Sequence, residues 1–288
     1  AINMGLTPQS YKVRTLSSSG EWSALEQATF SVPLVPASAS NLIVSEVHYN
    51  PQPFTGPNAA SPPYNDAQSF EFLELRNTSQ SVILLDGVKL DVGISYDFPV
   101  SSSGPVTWLM PNQSIVIVKN QDAFAARYLQ TGSPFINAKI APGTYGTTNL
   151  NNGGEPVGIK AANGDVIQTF TYDDDGPAGW PTTPDGGGPS LTPIYQIAGQ
   201  YATIGNWRAS FVTPGTPGVE ENDAPREITL DNFDVDENAA GALIGLLATD
   251  DPDQYDSAIY SIEASPTSNL FTIEGNALRV GSAGLDFE

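Results

Sequence analysis

The sequence predicts an all-β protein whose bulk is a β-sandwich, and three observations carry that prediction. Short apolar or alternating runs recur along its 288 residues, turn formers are abundant (Gly 27, Pro 24), and a single stretch has convincing helical spacing. Many short strands need many turns, and sheets of such strands bury their apolar faces against each other. The length allows two or more domains, each with its own core.

The elements follow in order. Tyr11–Arg14 alternates, Ser17–Gly20 are turn residues, and Thr29–Val32 alternates again, with Trp22-Ser23-Ala24 between. Residues 1–36 are too few for an independent core, so they read as the closing strands of an upstream β-domain. Pro33–Ser40 is small, Pro-containing and uncharged, as suits an extended linker, with 37–41 as the boundary. Strand-like runs then recur at 42–47, 70–75, 82–85, 88–92, 114–118, 157–159 and 166–172. Turn signals separate them, among them Asp86-Gly87, Pro111-Asn112 and Asn163-Gly164-Asp165. Gln121–Leu129 is the predicted helix, acidic near its start, with Phe124 and Tyr128 four apart. The Pro/Asn/Ser-rich insert 52–68 reads as a surface loop.

From Glu220 to Glu288 the composition shifts. Sixteen acids face only Arg226 and Arg279, which leaves this segment at −14 of the chain's −21. Strand-like runs at 242–247, 259–262 and 270–273 interrupt the acids, so the segment is not a disordered acidic tail. Dense carboxylates in a folded β-domain repel one another, and a hard cation relieves the repulsion. Calcium is the expected cofactor.

Three family resemblances add to this reading. The runs LIVSEVHYNP (42–51), FEFLELRN (70–77), LDGVKL (85–90), LMPNQSIVIVKN (109–120) and NNGGEPVGI (151–159) resemble a lamin tail domain. So do YDDDGPAGWP (172–181), DGGGPSL (185–191) and NWRASFVTPGTPG (206–218), which extends the resemblance over 42–218. It implies an immunoglobulin-like sandwich with no catalytic residues of its own, found in bacteria on secreted or surface proteins. The pieces NDAPREITL (222–230), DVDENAAGALIGLLATDDPD (234–253), AIYSIEA (258–264), LFTIEGNAL (270–278) and LDFE (285–288) resemble part of a bacterial cadherin-like repeat over 219–288. Residues 1–36 resemble the end of a fibronectin type III-like domain.

The cadherin-like resemblance implies calcium ligands residue by residue. Glu237, Asp286 and Glu288 match the lower rim, with Phe287 where the family usually has Arg. Asn222, Asp223, Asp251 and Asp253 match the upper rim, although the extra Asp250 shifts that register by up to one residue. The lower rim is expected to need a following linker, since the chain reads as an excerpt of a longer polypeptide.

Other chemistries find little support. There is no Cys, and His48 is the single histidine, which disfavours histidine metal sites and Ser–His–acid catalysis. Glu46 and Glu74 fall in adjacent predicted strands, where a glycosidase-like acid pair competes with a structural role beside Arg76. Asp173–Asp175 reads as a solvated loop. The glycine runs at 153–154 and 186–188 lack the Lys-Ser/Thr of a phosphate loop. Asn77 and Asn112 open N-glycosylation patterns. Among loop aromatics, Phe54 and Tyr64 are the candidate stacking residues for a glycan, while Trp180 and Trp207 suit core or turn packing.

A pI near 4.1 and scattered basic residues argue against nucleic acid, and no apolar run is long enough to span a bilayer. The expected protein is a non-enzymatic structural or adhesive segment of a modular secreted or cell-surface protein, stiffened by calcium. Its partners would be neighbouring domains of the same polypeptide and a surface protein or glycan. The alternative is an accessory carbohydrate- or nucleic-acid-binding module of an extracellular hydrolase.

Overall fold

The computed structural model describes residues 9–30, 33–100, 106–196, 204–253, 257–265 and 267–285. The chain divides into two compact units, one made of 1–193 and 197–220, the other of 194–196 and 221–288.

The first unit opens with a hairpin of β1 (Gln9–Val13) and β2 (Glu26–Phe30), whose described side chains are exposed or half-buried. Next come β3 (Leu34–Pro36), β4 (Leu42–His48), β5 (Phe72–Asn77), β6 (Val82–Leu84), β7 (Lys89–Val92), β8 (Tyr96–Asp97), β9 (Trp108–Leu109) and β10 (Ser114–Val118). Helix α1 (Gln121–Tyr128) precedes β11 (Glu155–Lys160), β12 (Val166–Tyr172), β13 (Leu191–Pro193) and β14 (Trp207–Ala209). The expected linker is not free chain: its residues in β3 pair in parallel with β6, Leu34 opposite Val82.

Two sheets make the sandwich. One has the order β10-β5-β4-β13-β14, the other β12-β11-β7-β8, and a small third sheet runs β3-β6-β9. Strand side chains alternate between faces, and β5 shows what that does. Leu73 and Leu75 enter the main core with Ile115, Ile117, Val157 and Ile159. Phe72 points the opposite way and joins Val116, Val118, Phe124, Tyr128 and Phe135 beneath α1. Every residue of β4 and β5 is therefore buried, so neither strand has a solvent face, although Glu46, His48, Glu74 and Arg76 interrupt their apolar residues. Asn120 caps α1 by accepting a hydrogen bond from the Ala123 N–H at 3.0 Å, and Asp122 and Arg127 suit the helix dipole at its two ends.

The 52–68 insert is a loop, as expected, and it is stapled down. Phe54 stacks on buried Phe70 with centroids 5.0 Å apart, Tyr64 lies 5.9 Å from Phe54, and the Arg127 guanidinium sits 3.9 Å above the Phe70 ring.

The second unit is one four-stranded antiparallel sheet. Its strands are β15 (Glu227–Leu230), β16 (Leu243–Asp250), β17 (Phe271–Glu274) and β18 (Ala277–Val280), in the order β15-β16-β18-β17. The run Ile259–Ile262 is not a strand, contrary to expectation; Ile259 is 95% exposed, so neither face-burial nor ladder pairing holds it extended.

Candidate functional sites

Alternation on β4 and β5 puts Glu46 opposite Glu74 across the strand pair, the arrangement a catalytic acid pair would need. Both carboxylates are buried, and both serve the fold. Glu46 Oε1 accepts from the Ser190 hydroxyl and from the Thr216 N–H at 2.8 Å. Glu74 accepts from the Ser45 hydroxyl at 2.6 Å and from the Gly218 N–H at 2.5 Å. Desolvation raises the Glu74 pKa, opposed by these hydrogen bonds and by the Arg76 charge. Arg76 itself pairs with Glu220 rather than with either acid as expected. Together they fasten Ser190 and the 216–220 segment across the polar half of a sheet face whose apolar half is covered by α1. Gly215, at φ +103°, permits this approach, because a Cβ there would lie 2.7 Å from Glu46 Oε1.

His48 ends β4 fully buried, edge-on to Phe72 and with Nδ1 3.1 Å from the Tyr128 hydroxyl. Burial, then the Arg127 charge, lowers its pKa to about 3. It is a neutral packing residue at any ordinary pH and a poor general base.

Sequence reasoning passed over Glu71. It is fully buried, and its Oε2 accepts from the Tyr145 hydroxyl and the Leu150 N–H, each at 2.9 Å, while Oε1 has no hydrogen-bond partner among the described residues. Desolvation raises its pKa to about 7, with the two hydrogen bonds and Lys119 pulling the other way. Its signal was an acid sitting between Phe70 and Phe72 in an apolar run.

Asn77 is closed to glycosylation: it is buried, and its amide donates to the carbonyls of Ser81 and Met110 at 2.7 and 2.9 Å. Trp180 and Trp207 are core residues, with Trp207 stacked on Phe170 at 4.7 Å. Phe54 and Tyr64 are half-buried and packed on one another rather than presented as open platforms.

In the second unit, Asn222, Asp223, Asp251 and Asp253 come together. Asp253 accepts from the Asp223 N–H at 2.6 Å and lies 3.5 Å from the Asn222 amide, and its own N–H donates to Asp251 at 3.0 Å. Asp253 is only 8% exposed. The donors are all oxygen-bearing, which suits calcium. Among the described residues, however, no group of three or more His, Asp or Glu is arranged to hold a metal ion. Glu237 is exposed, and its neighbour Asn238 donates from its backbone to the Leu285 carbonyl at 2.8 Å. Its expected companions Asp286 and Glu288 lie outside the described residues.

The strands, sheet orders and core define an immunoglobulin-like β-sandwich. Residues 35–174 match the lamin tail domain family. The sandwich itself continues past that match, since β13, β14 and the Glu46 and Glu74 contacts draw on residues up to 218. Comparisons with curated proteins and with solved structures found no match. Among the described residues no helix is long and apolar enough to cross a membrane.

Proposed function

We propose that the chain is a non-enzymatic structural and adhesive module of a secreted or cell-surface protein, with calcium stiffening residues 219–288 as a cadherin-like repeat. The observation that carries the non-enzymatic reading is the employment of Glu46 and Glu74 as fastenings for backbone N–H and hydroxyl groups, with His48 buried and neutral. A catalytic pair needs at least one carboxyl open to substrate, and neither of these acids is. The calcium reading is supported by the meeting of Asn222, Asp223, Asp251 and Asp253, and by the closeness of the Glu237 segment to Leu285. Calcium there would neutralise repulsion in a segment at −14. Neighbouring domains and a surface protein or glycan are its proposed partners.

Scanning calorimetry in calcium and in chelator tests this reading. Calcium should raise the transition of residues 219–288 and leave the sandwich transition in place. A calcium shift confined to the sandwich, or none at all, rejects it.

A further inference from the structure

The sandwich contains a trough of about 770 Å³ between the chain leaving β3, the turn after β6 and the β11–β12 turn. Its floor is apolar, made by Leu84, Val88 and Ile167, and its walls are built largely from the small residues of 36–40 and 161–162. Half-buried Asp86 and exposed Asp165, whose carboxylate accepts from the Asn163 amide at 2.7 Å, are among the lining residues, and among the described residues that lining includes neither Lys nor Arg. Small walls admit a main chain closely, where bulky ones would hold it off. β12 is an outer strand of its sheet, and its first residue, Val166, lines the trough while 56% exposed. An outer strand carries backbone groups that an added strand can pair with.

We propose that this trough receives an extended, lysine- or arginine-bearing peptide segment of a partner protein. The segment runs along the edge of β12, seats alternate apolar side chains on the floor, and sets its cation between Asp86 and Asp165. Charge complementarity selects this occupant: two acids in the lining, on a stretch 1–219 that is itself at −7 (the chain's −21 less the −14 of 220–288), repel acidic segments and attract basic ones. The site is separate from the proposed calcium ligands and does not depend on them.

The test is fluorescence anisotropy of the full chain with a labelled eight-residue peptide alternating valine and lysine, beside a valine–glutamate control. Saturable binding of the lysine peptide alone is expected. The double variant Asp86→Asn, Asp165→Asn should weaken it about 5- to 10-fold, the scale of two partly exposed ion pairs. Ala39→Trp, which fills the trough from an exposed wall position, should abolish it without changing the melting temperature. Three results overturn the proposal: no saturable binding, binding that survives Ala39→Trp, or equal weakening by the pair Asp66→Asn, Asp122→Asn, which lies at α1 and the 67–70 turn and lines no part of the trough. Competition by arginine amide as strong as by the peptide overturns it too, since the trough would then be a small-cation site.

Discussion

Glu71→Gln should convert a pH-dependent penalty into a nearly flat one. In the folded protein the Glu71 carboxyl titrates near 7, whereas its ordinary value is 4.5. Between those values the folded state holds a proton that the unfolded state has released, so stability falls as pH rises through this window. The contribution is fully present below about pH 4.5 and lost once the pH passes about 7. A shift of that size corresponds to about 3 kcal/mol, at 1.36 kcal/mol per pKa unit. Its cause is burial of a carboxylate with only one of its oxygens hydrogen-bonded. Urea denaturation of the wild type and Glu71→Gln at pH 5 and pH 8 measures it, because the background titration of the other acids is common to both. The difference between the two proteins should move by about 2.5 kcal/mol in favour of the glutamine variant on going from pH 5 to pH 8, since at pH 5 part of the window has already been crossed. A difference independent of pH would refute the reasoning, and Glu71 would then be ionised throughout by contacts that outweigh its desolvation.

Glu46→Leu should destabilise the sandwich by about 2–4 kcal/mol, since the Ser190 hydroxyl and the Thr216 N–H both donate to the single oxygen Oε1 and lose that acceptor; thermal melting measures it. Phe54→Ala should cost about 1–2 kcal/mol by unstacking Phe70, and limited proteolysis should then cut within 52–68. Gly154→Ala should cost more than 2 kcal/mol, because a Cβ at φ +93° would lie 2.5 Å from the Tyr172 carbonyl oxygen. Denaturant titration of the variant reads that loss.

The sandwich was legible because its signals are local. Alternation, turn residues and the Phe124–Tyr128 pair mark β10, β12 and α1 within one or two residues. The strands missed include the very short β8, β9, β13 and β14, whose two or three residues form by docking on neighbours and carry no period of their own, and also four-residue β15 and β18. Leu34–Pro36 was legible as extended chain but not as a strand, because its pairing with β6 joins residues almost fifty apart. Ile259–Ile262 shows the opposite failure: apolar residues without a sheet partner do not make a strand. The site followed the same division. That Glu46 and Glu74 face each other could be read from strand adjacency. Their partners Ser190, Thr216 and Gly218 lie about 144 to 170 residues away, and no sequence spacing announces them. Asp253 and Asp223 were matched through a family motif rather than through geometry, and the burial of Glu71 depended on the 145–150 loop folding over it.

Calcium titration calorimetry of this chain, repeated on Asp251→Asn, Asp253→Asn, tests the central claim most directly. Saturable binding is expected, stabilising residues 219–288 by about 2.7 kcal/mol at a hundredfold excess over Kd. Loss of that binding in the double variant and no change in Asp165→Asn are expected with it. Absence of binding, or binding unaltered by the double variant, would contradict the claim.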